Sequence, residues 1–224
     1  MTDNLFLAAT SAAADQSCVV PFYLTGGISG QSAPLLRGRL ARLFSPAASI
    51  LSRHAYPDSV SAVCAEMMGL AACLSTTLKF EGVFTVQAKG DGAVKTLFAD
   101  VTSDGHIRSY AAFDDQQAGQ LNVSGPAVLP RLMGSGYVAF TIDQATANGD
   151  SGHRYQGIVE LEGPNLGDCA IAWFKNSEQL AANVITVAQK TASGWQSAAL
   201  FLRQIAEEGG HDPLKRTAAS LEDE

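Results

Sequence analysis

Residues 83–113 read VFTVQAKGDGAVKTLFADVTSDGHIRSYAAF, and this stretch decides the fold class. Apolar and polar side chains alternate from Phe84 to Lys89, which is typical of a half-buried strand. Gly90-Asp91-Gly92 and Ser103-Asp104-Gly105 are turn sequences, because glycine and aspartate tolerate the backbone angles of tight turns. Val94–Val101 and Ile107–Phe113 read as the next two strands. Three strands joined by tight turns predict an antiparallel meander.

The chain before the meander is predicted to be mainly helical. A long helix is expected from Pro57, which suits a first helical turn, and its apolar residues follow a helical stripe: Val60, Val63, Met67, Leu70, Ala71, Leu74 and Leu78. Between Ala33 and His54 the apolar residues also recur at helical spacing, and Pro46 should divide or kink that region. Met67 and Met68 have two interpretations, as core filling or as an exposed binding patch.

Strands flank this central region on both sides. Strand-like patches occupy Leu5–Leu7 and Cys18–Leu24, a loop is expected over Asp114–Pro130, and strands follow around Val138–Ile142 and Tyr155–Leu161. Asn165 is a plausible N-cap for a short amphipathic helix through Phe174. A final hairpin pairs Asn183–Ala188 with Trp195–Leu202 across a turn at Ser193-Gly194. Because helices and strands are grouped rather than alternating, we expect an α+β fold with a mostly antiparallel, twisted sheet packed with helices.

Composition and charge narrow the classes of molecule that the chain is expected to bind and the location in which it is expected. The 224 residues carry a formal net charge of −7 with 17% charged residues, so nucleic-acid binding is not expected. Arg37, Arg39, Arg42 and Arg53 are interpreted as a solvated helix face. No apolar run is long enough for a membrane span by itself, and the first residues lack the positive start of a secretory signal. The expected location is the cytoplasm, with residues 1–206 as a core domain and 207–224 as a polar tail.

The four cysteines do not suggest a metal site or a disulfide. Cys18, Cys64, Cys73 and Cys169 form neither C-x-x-C nor C-x-C, and their spacing matches no zinc-ligand pattern. Cys64 and Cys73 lie nine residues apart on one predicted helix, too far along its axis for a disulfide. Buried, reduced thiols are therefore expected, and we assign no metal ligand.

No residue pattern indicates catalysis. Gly90-Asp91-Gly92 and Gly134-Ser135-Gly136 are interpreted as turns rather than phosphate cradles, because neither precedes a clear helix start. Glu160 and Glu162 share a strand face and are interpreted as exposed residues. The histidines are scattered, and a His/Cys dyad assembled in space stays open as a minor alternative: they are His54, His106, His153 and His211. We therefore assign no catalytic and no cofactor-binding residue.

Four stretches in order along the chain carry a family resemblance. They are His54–Pro57, Thr76–Gly92, Arg154–Gly163 and Trp173–Leu180. In sequence and spacing these stretches resemble the Hsp33 family of bacterial redox-regulated holdases, over residues 35 to 205. The resemblance implies a cytosolic chaperone, not an enzyme, that binds unfolded client proteins without ATP, prevents their aggregation under oxidative or heat stress, and tends to form a homodimer.

The same resemblance implies zinc and redox control that these residues do not match. In the family, a C-terminal C-x-C and C-x-x-C pair binds zinc when reduced and forms disulfides when oxidised, and none of the four cysteines here corresponds to those ligands. We expect that this chain, taken by itself, lacks that switch and leaves an apolar sheet face exposed or hidden in a dimer. The strands at Phe84, Val86, Phe140 and Ile142 are candidates for this face, although their alternation equally describes a core.

Two other functions stay open beside the chaperone. One is a dimerising interaction module without chaperone activity, and the other is a hydrolase or transferase built on a His/Cys or Glu pair. The residues that would bind clients cannot be assigned from the sequence.

Overall fold

A computed structural model describes residues 17–26, 33–120, 127–144, 153–177 and 181–205. The strands of this part are β1 Cys18–Gly26, β2 Ala33–Leu43, β3 Gly82–Gly90, β4 Val94–Thr102, β5 Ile107–Phe113, β6 Gly136–Gln144, β7 Arg154–Glu160, β8 Ala182–Thr191 and β9 Gly194–Gln204. The helices are α1 Ser45–Leu51, α2 Asp58–Ser75, α3 Asp115–Gln120, α4 Val128–Met133 and α5 Leu166–Ser177.

The strands form two antiparallel sheets. Sheet A has the order β1-β2-β9-β8, and sheet B has the order β5-β4-β3-β6-β7. Every neighbouring pair runs antiparallel. The predicted α+β class and the meander β3-β4-β5 are therefore confirmed, as are the strands around Val138 and Tyr155 and the final hairpin.

Helix α2 is the central element, because it lies between the two sheets. It packs on β2, β8 and β9 of sheet A and on β3, β4 and β5 of sheet B. Its apolar residues are consequently buried on all sides, and Met67 and Met68 are both fully buried. The core interpretation of the two methionines is confirmed. By length and composition α2 could cross a membrane, but 83% of its length is buried inside this protein, as is usual for a core helix.

The predicted helical region from Ala33 to His54 is wrong in its first half. Ala33–Leu43 is strand β2, and only Ser45–Leu51 is helical, with Pro46 in the first turn rather than at a kink. The alternation was hidden because both faces of β2 carry apolar residues: Ala41 and Leu43 point to the core, and Leu36 and Leu40 to the other side. Arg37, Arg39 and Arg42 therefore lie on a strand, not on a solvated helix face.

The predicted loop over Asp114–Pro130 is also partly wrong. It contains helix α3 and the start of helix α4, which packs Leu129, Leu132 and Met133 into the core. The Asp114 carboxylate accepts the backbone N–H groups of Gln116 and Gln117 at 3.0 Å and so starts α3. The patch Leu5–Leu7 and the polar tail 207–224 lie outside the described residues.

The N-terminus of α5 is fastened by reciprocal hydrogen bonds and by Glu66. Asn165 Oδ1 accepts the Asp168 N–H at 3.2 Å, and Asp168 Oδ2 accepts the Asn165 N–H at 3.3 Å, which confirms the predicted N-cap. From α2, the half-buried Glu66 carboxylate accepts the Leu166 N–H at 3.0 Å and the Thr186 hydroxyl at 2.5 Å. One carboxylate therefore ties α2, α5 and β8 together.

Trp173 fills the space between α5 and sheet B. Its indole stacks on Phe140 with ring centroids 4.5 Å apart, and Phe174 beside it meets Phe201 of sheet A at 5.0 Å. The close approach requires Gly157, because a Cβ atom there would lie 2.2 Å from Trp173 Nε1. The family-like segments 154–163 and 173–180 thus meet in one contact between β7 and α5.

We expect Gly157→Ala to lower the free energy of unfolding by roughly 1–3 kcal/mol, because the added methyl group displaces a rigid, buried indole. Urea unfolding followed by tryptophan fluorescence measures this. Glu160→Ala on the same strand is the control: Glu160 is exposed, so its change should stay within about 0.5 kcal/mol. Equal stability of the two variants would contradict the proposed tight contact.

The pH dependence of stability tests the Glu66 contact. Burial raises the pKa of Glu66, although the hydrogen bonds from Thr186 and Leu166 partly oppose this. The fold therefore prefers the protonated acid, and stability is lost as the pH rises through the raised pKa. Glu66→Gln keeps an accepting oxygen and removes the charge, so its stability relative to wild type should increase as the pH rises above about 4.3, the ordinary pKa of glutamate.

Chemical unfolding at several pH values provides this measurement. Glu160→Gln is the matched control, because that exposed residue should give a stability difference that does not change with pH. A pH-independent difference for Glu66→Gln would show that its ionisation does not affect folding.

Candidate client-binding surface

The two glycine triplets are parts of one structural unit. Gly90-Asp91-Gly92 and Gly134-Ser135-Gly136 pack against each other: the Gly92 N–H donates to Met133 O at 2.7 Å, and the Ser135 N–H donates to Asp91 Oδ1 at 2.8 Å. A Cβ atom at Gly90 would lie 2.1 Å from Met133 O, and one at Gly136 would lie 1.9 Å from Lys89 O. The turn interpretation is confirmed, since these backbones face each other rather than a ligand.

Two of the four cysteines, Cys64 and Cys73, lie in helix α2, while Cys18 is in β1 and Cys169 in α5. Cys64, Cys73 and Cys169 are buried and Cys18 is half-buried, and all four are free thiols. Cys73 Sγ donates to Arg39 O at 3.6 Å, and Cys169 Sγ donates to Glu162 O at 3.3 Å. Burial raises the pKa of Cys64 and Cys73 to about 12 and that of Cys169 to about 11. These three thiols stay protonated at neutral pH and are poor nucleophiles.

The histidines in the described residues occupy structural or surface positions. The His54 ring stacks on Tyr56 with centroids 4.6 Å apart, and the Tyr56 hydroxyl accepts the Ala111 N–H at 3.1 Å. The family-like segment 54–57 thus fastens a loop to the edge of β5. His106 is exposed beside Asp104 at 3.2 Å, and His153 is exposed before β7. His211 lies outside the described residues.

The strands named as a possible binding face form core instead. Phe84, Val86 and Phe140 are fully buried, and Ile142 packs against the same cluster. These side chains occupy the inner face of sheet B, opposite α2 and α5. The core interpretation is therefore confirmed, and a client-binding surface must be sought elsewhere.

The outer face of sheet A is the apolar surface that sequence reasoning missed. Strand registers place Leu40, Leu200 and Ile185 in one row across β2, β9 and β8, with Val20 opposite Leu40 on β1. Side chains two residues along each strand share the face. We call this surface the apolar face; its apolar members are Val20, Phe22, Leu24, Leu36, Leu40, Ile185, Val187, Ala198, Leu200 and Leu202. Arg42 is the charged side chain that the described strands place on it.

Several members of the apolar face are strongly exposed. The exposed fractions are 38% for Val20, 45% for Leu24, 58% for Ile185 and 55% for Val187. Gly38 allows the Phe22 ring to lie directly against strand β2. A Cβ atom at this position would lie 2.3 Å from that ring. Helix α2 packs on the opposite face of sheet A, where Ala41, Ala199 and Phe201 are buried. A contiguous exposed apolar patch of this kind usually marks a binding site.

The outer face of sheet B is more polar, although Tyr110, Tyr137 and Ile158 are exposed on it. Asp100 accepts hydrogen bonds from Thr85 at 2.7 Å and from Arg108 Nε at 2.6 Å. Thr141 accepts a hydrogen bond from Gln156 at 2.8 Å, and Arg154 pairs with Asp143 at 2.5 Å. Cross-strand polar pairs of this kind suit a sheet face that meets water. The two outer faces therefore differ in chemistry, although both belong to antiparallel sheets around the same core.

The sequence held one signal for the apolar face. In β8, Val184 lies on one face of the strand and Ile185 and Val187 lie on the other. Apolar residues on both faces indicate a strand that could be buried on both sides. The structure buries Val184 and leaves Ile185 exposed, so only one of these faces is used in the core.

Comparison with known proteins places the chain in a family. A family model described as Hsp33 protein matches residues 30–223. The chain belongs to the Hsp33 family. Among curated Hsp33 relatives, the 33 kDa chaperonin of Ectopseudomonas mendocina is 35% identical over 181 residues, and that of Azotobacter vinelandii is 36% identical over 182 residues; each alignment covers 81% of this chain. The chain spans 57% of the length of these Hsp33 proteins.

A solved structure supports the fold. The crystal structure of the 33 kDa chaperonin from Thermotoga maritima matches with a TM-score of 0.65 at 18% identity, covering 85% of this chain and 61% of that one. At this level of identity the likeness concerns the fold alone, and it agrees with the α+β arrangement of this Hsp33 chain.

The zinc implied by the Hsp33 resemblance does not fit the described residues. Within them, no group of three or more His, Cys, Asp or Glu side chains could hold a metal ion. A cysteine binds zinc as its thiolate, whereas burial raises the pKa of Cys64, Cys73 and Cys169 and so favours the protonated thiol. We derive no step through zinc.

The exposed apolar face should bind a fluorescent apolar dye. Ile185→Lys should lower the dye signal at equal protein concentration, because the charge disrupts the surface to which the dye adsorbs. Ile158→Lys is the matched control: Ile158 is also 58% exposed and also lies on an edge strand, but in sheet B. Equal losses in both variants would contradict the assignment of the surface.

Proposed function

We propose that this chain is an ATP-independent holdase that binds unfolded proteins on the apolar face of sheet A and prevents their aggregation. The observation that carries the proposal is the row of apolar side chains from β1 to β8, in which Val20 and Ile185 are exposed and Leu40 and Leu200 are half-buried. Membership of the Hsp33 family and the name 33 kDa chaperonin of its relatives support it.

The chemistry of the apolar face suits clients of many sequences. Unfolded proteins expose apolar side chains that are normally buried, and burial of apolar surface is non-directional and roughly proportional to area. A sheet face of Val, Leu and Ile side chains offers such area without requiring a specific polar partner. Each exposed Ile, Leu or Val that becomes fully covered contributes up to about 1.5–3 kcal/mol, so a few contacts hold a client reversibly.

Binding of this kind needs no bond-making step. The chain would therefore act as a binding protein rather than as an enzyme. Its proposed role is to protect unfolded proteins in the cytoplasm under stress and to support their refolding. The face carries one charged residue, Arg42, and the chain is acidic overall, so we expect unfolded protein rather than nucleic acid as the partner.

Peroxide should leave this activity unchanged. The raised pKa values of Cys64, Cys73 and Cys169 keep these thiols protonated, and their burial separates them from solvent. Cys18 is half-buried on the outer face of sheet A, where Arg42 Nη2 lies 3.6 Å from its sulfur. Cys64 and Cys73 lie in α2 on the inner side of this sheet, so peroxide should not join Cys18 to them in a disulfide. Zinc-linked redox control belongs, in this proposal, to residues other than these four cysteines.

Light scattering from a chemically unfolded protein, diluted into buffer without nucleotide, tests the proposal. Wild type at near-stoichiometric ratio should suppress scattering both with reductant and after peroxide. Ile185→Lys combined with Val187→Lys should lose most of this effect, whereas Ile158→Lys, on the polar outer face of sheet B, should retain it.

The other outcomes discriminate between the open functions. Suppression only after peroxide would place a switch in the described cysteines. No suppression by a wild-type protein that is dimeric by light scattering would favour the dimerising interaction module, in which a second copy covers the apolar face.

A further inference from the structure

Strand β8 is an edge of sheet A that lies next to the apolar face. Its Ala182–Thr191 segment pairs with β9 on one side. The hairpin closes between Thr191 and Gly194 with two residues in the turn, and the Thr191 hydroxyl donates to Gly194 O at 2.9 Å. In such a hairpin the closing residues exchange backbone hydrogen bonds. Thr191 therefore directs its N–H and C=O groups toward β9.

The directions of the remaining backbone groups in β8 follow from that of Thr191, because they alternate from one residue to the next. Residues at odd positions bond to β9, and residues at even positions direct their N–H and C=O groups away from the sheet. Gly167 confirms this independently, because a Cβ atom there would lie 2.8 Å from Val184 O. The start of α5 thus covers the edge at Val184. Beyond it, Thr186, Ala188 and Lys190 direct backbone groups outward.

The other sheet edges in the described residues carry protective features. Strand β1 contains Pro21, which has no N–H to donate. At β5, the Ala111 N–H already donates to Tyr56 Oη. Strand β7 is short and carries exposed Arg154 and Glu160. Charge, proline and covering groups are the usual protection against unwanted strand pairing.

Among the described residues, strand β8 has no proline and no covering group between Thr186 and Lys190. This part has two β-branched residues, Thr186 and Val187, and one charge, Lys190, whose ammonium group is drawn away to Asp58 at 2.8 Å. Its outward side chains Ile185 and Val187 belong to the apolar face and are more than half exposed. A strand added here would extend sheet A, and alternate side chains of that strand would continue the apolar face.

We propose that β8 binds an extended apolar segment of an unfolded client by strand addition along Thr186–Lys190. This inference rests on the proposed holdase function and specifies how the client backbone is held. Hydrogen bonds to main-chain groups are independent of client sequence, while alternate client side chains lie on the apolar face. Pairing over five residues spans only about 17 Å, and by itself is too small for the roughly 1,200 Å² of a stable interface between two copies.

Peptides with identical side chains and different backbones test the proposal. The probe is a soluble peptide of alternating valine and threonine with lysines at both ends. A second version is N-methylated at alternate residues, so that one edge can still pair, and a third is N-methylated along both edges. Wild type should bind the first two similarly and the third at least about tenfold more weakly, because several backbone hydrogen bonds are lost.

Ala188→Pro provides the complementary change in the protein. It removes an outward N–H of the edge, where proline is tolerated, and leaves Ile185 and Val187 in place. This variant should bind the unmethylated peptide about tenfold more weakly than wild type does, and its affinity should no longer depend on methylation of the peptide. Circular dichroism and thermal unfolding check that the variant is folded, and the peptide series on wild type gives an answer even if it is not.

Equal binding of all three peptides to wild type, or no binding of the unmethylated one, would overturn strand addition. The holdase proposal is tested separately, by suppression of aggregation and its loss in Ile185→Lys with Val187→Lys. Suppression without a methylation effect would mean that clients are held through side chains alone.

Discussion

The burial of most of helix α2 between two sheets is the constraint on which the rest of the structure depends. A helix that is apolar on all sides needs packing partners on all sides, and α2 obtains them from β2, β8 and β9 on one side and β3, β4 and β5 on the other. Each sheet therefore uses one face for the core and turns the other outward. The surface chemistry of the protein is decided by those two outer faces.

The packing around α2 is close at several small residues. Gly69 of α2 lies against β9, where an added Cβ atom would be 3.1 Å from Ser197 Oγ, and Gly157 admits the Trp173 indole. Glu66 also connects α2 to α5 and β8, because its carboxylate accepts hydrogen bonds from both. Because β8 is held from its inner side by these contacts, its outer side chains need no role in folding and can be exposed for binding.

The contrast between the two outer faces is the main argument for function. On sheet B, carboxylate, guanidinium, amide and hydroxyl groups pair across strands, so that face is stable in water. On sheet A, equivalent positions hold Val, Leu and Ile, whose exposure is unfavourable for an isolated protein. A surface that serves only folding would resemble sheet B. The apolar face is consistent with the proposed holdase function, because binding of unfolded proteins needs exposed apolar area and no reactive group.

The sequence by itself determined the α+β class, the meander, the α2 helix, the hairpin and the Asn165 cap, because each depends on local periodicity or turn chemistry. It also indicated that Met67 belongs to the core, and its four family-like segments led to the Hsp33 assignment. Strand β2 was misread because apolar residues on both of its faces removed the period of two. The binding surface needed the tertiary structure: Val20, Leu40, Leu200 and Ile185 become neighbours only through long-range strand pairing. Whether Phe84 or Ile185 faces water depends on which side of its sheet α2 occupies, and alternation along a strand carries no information on that choice.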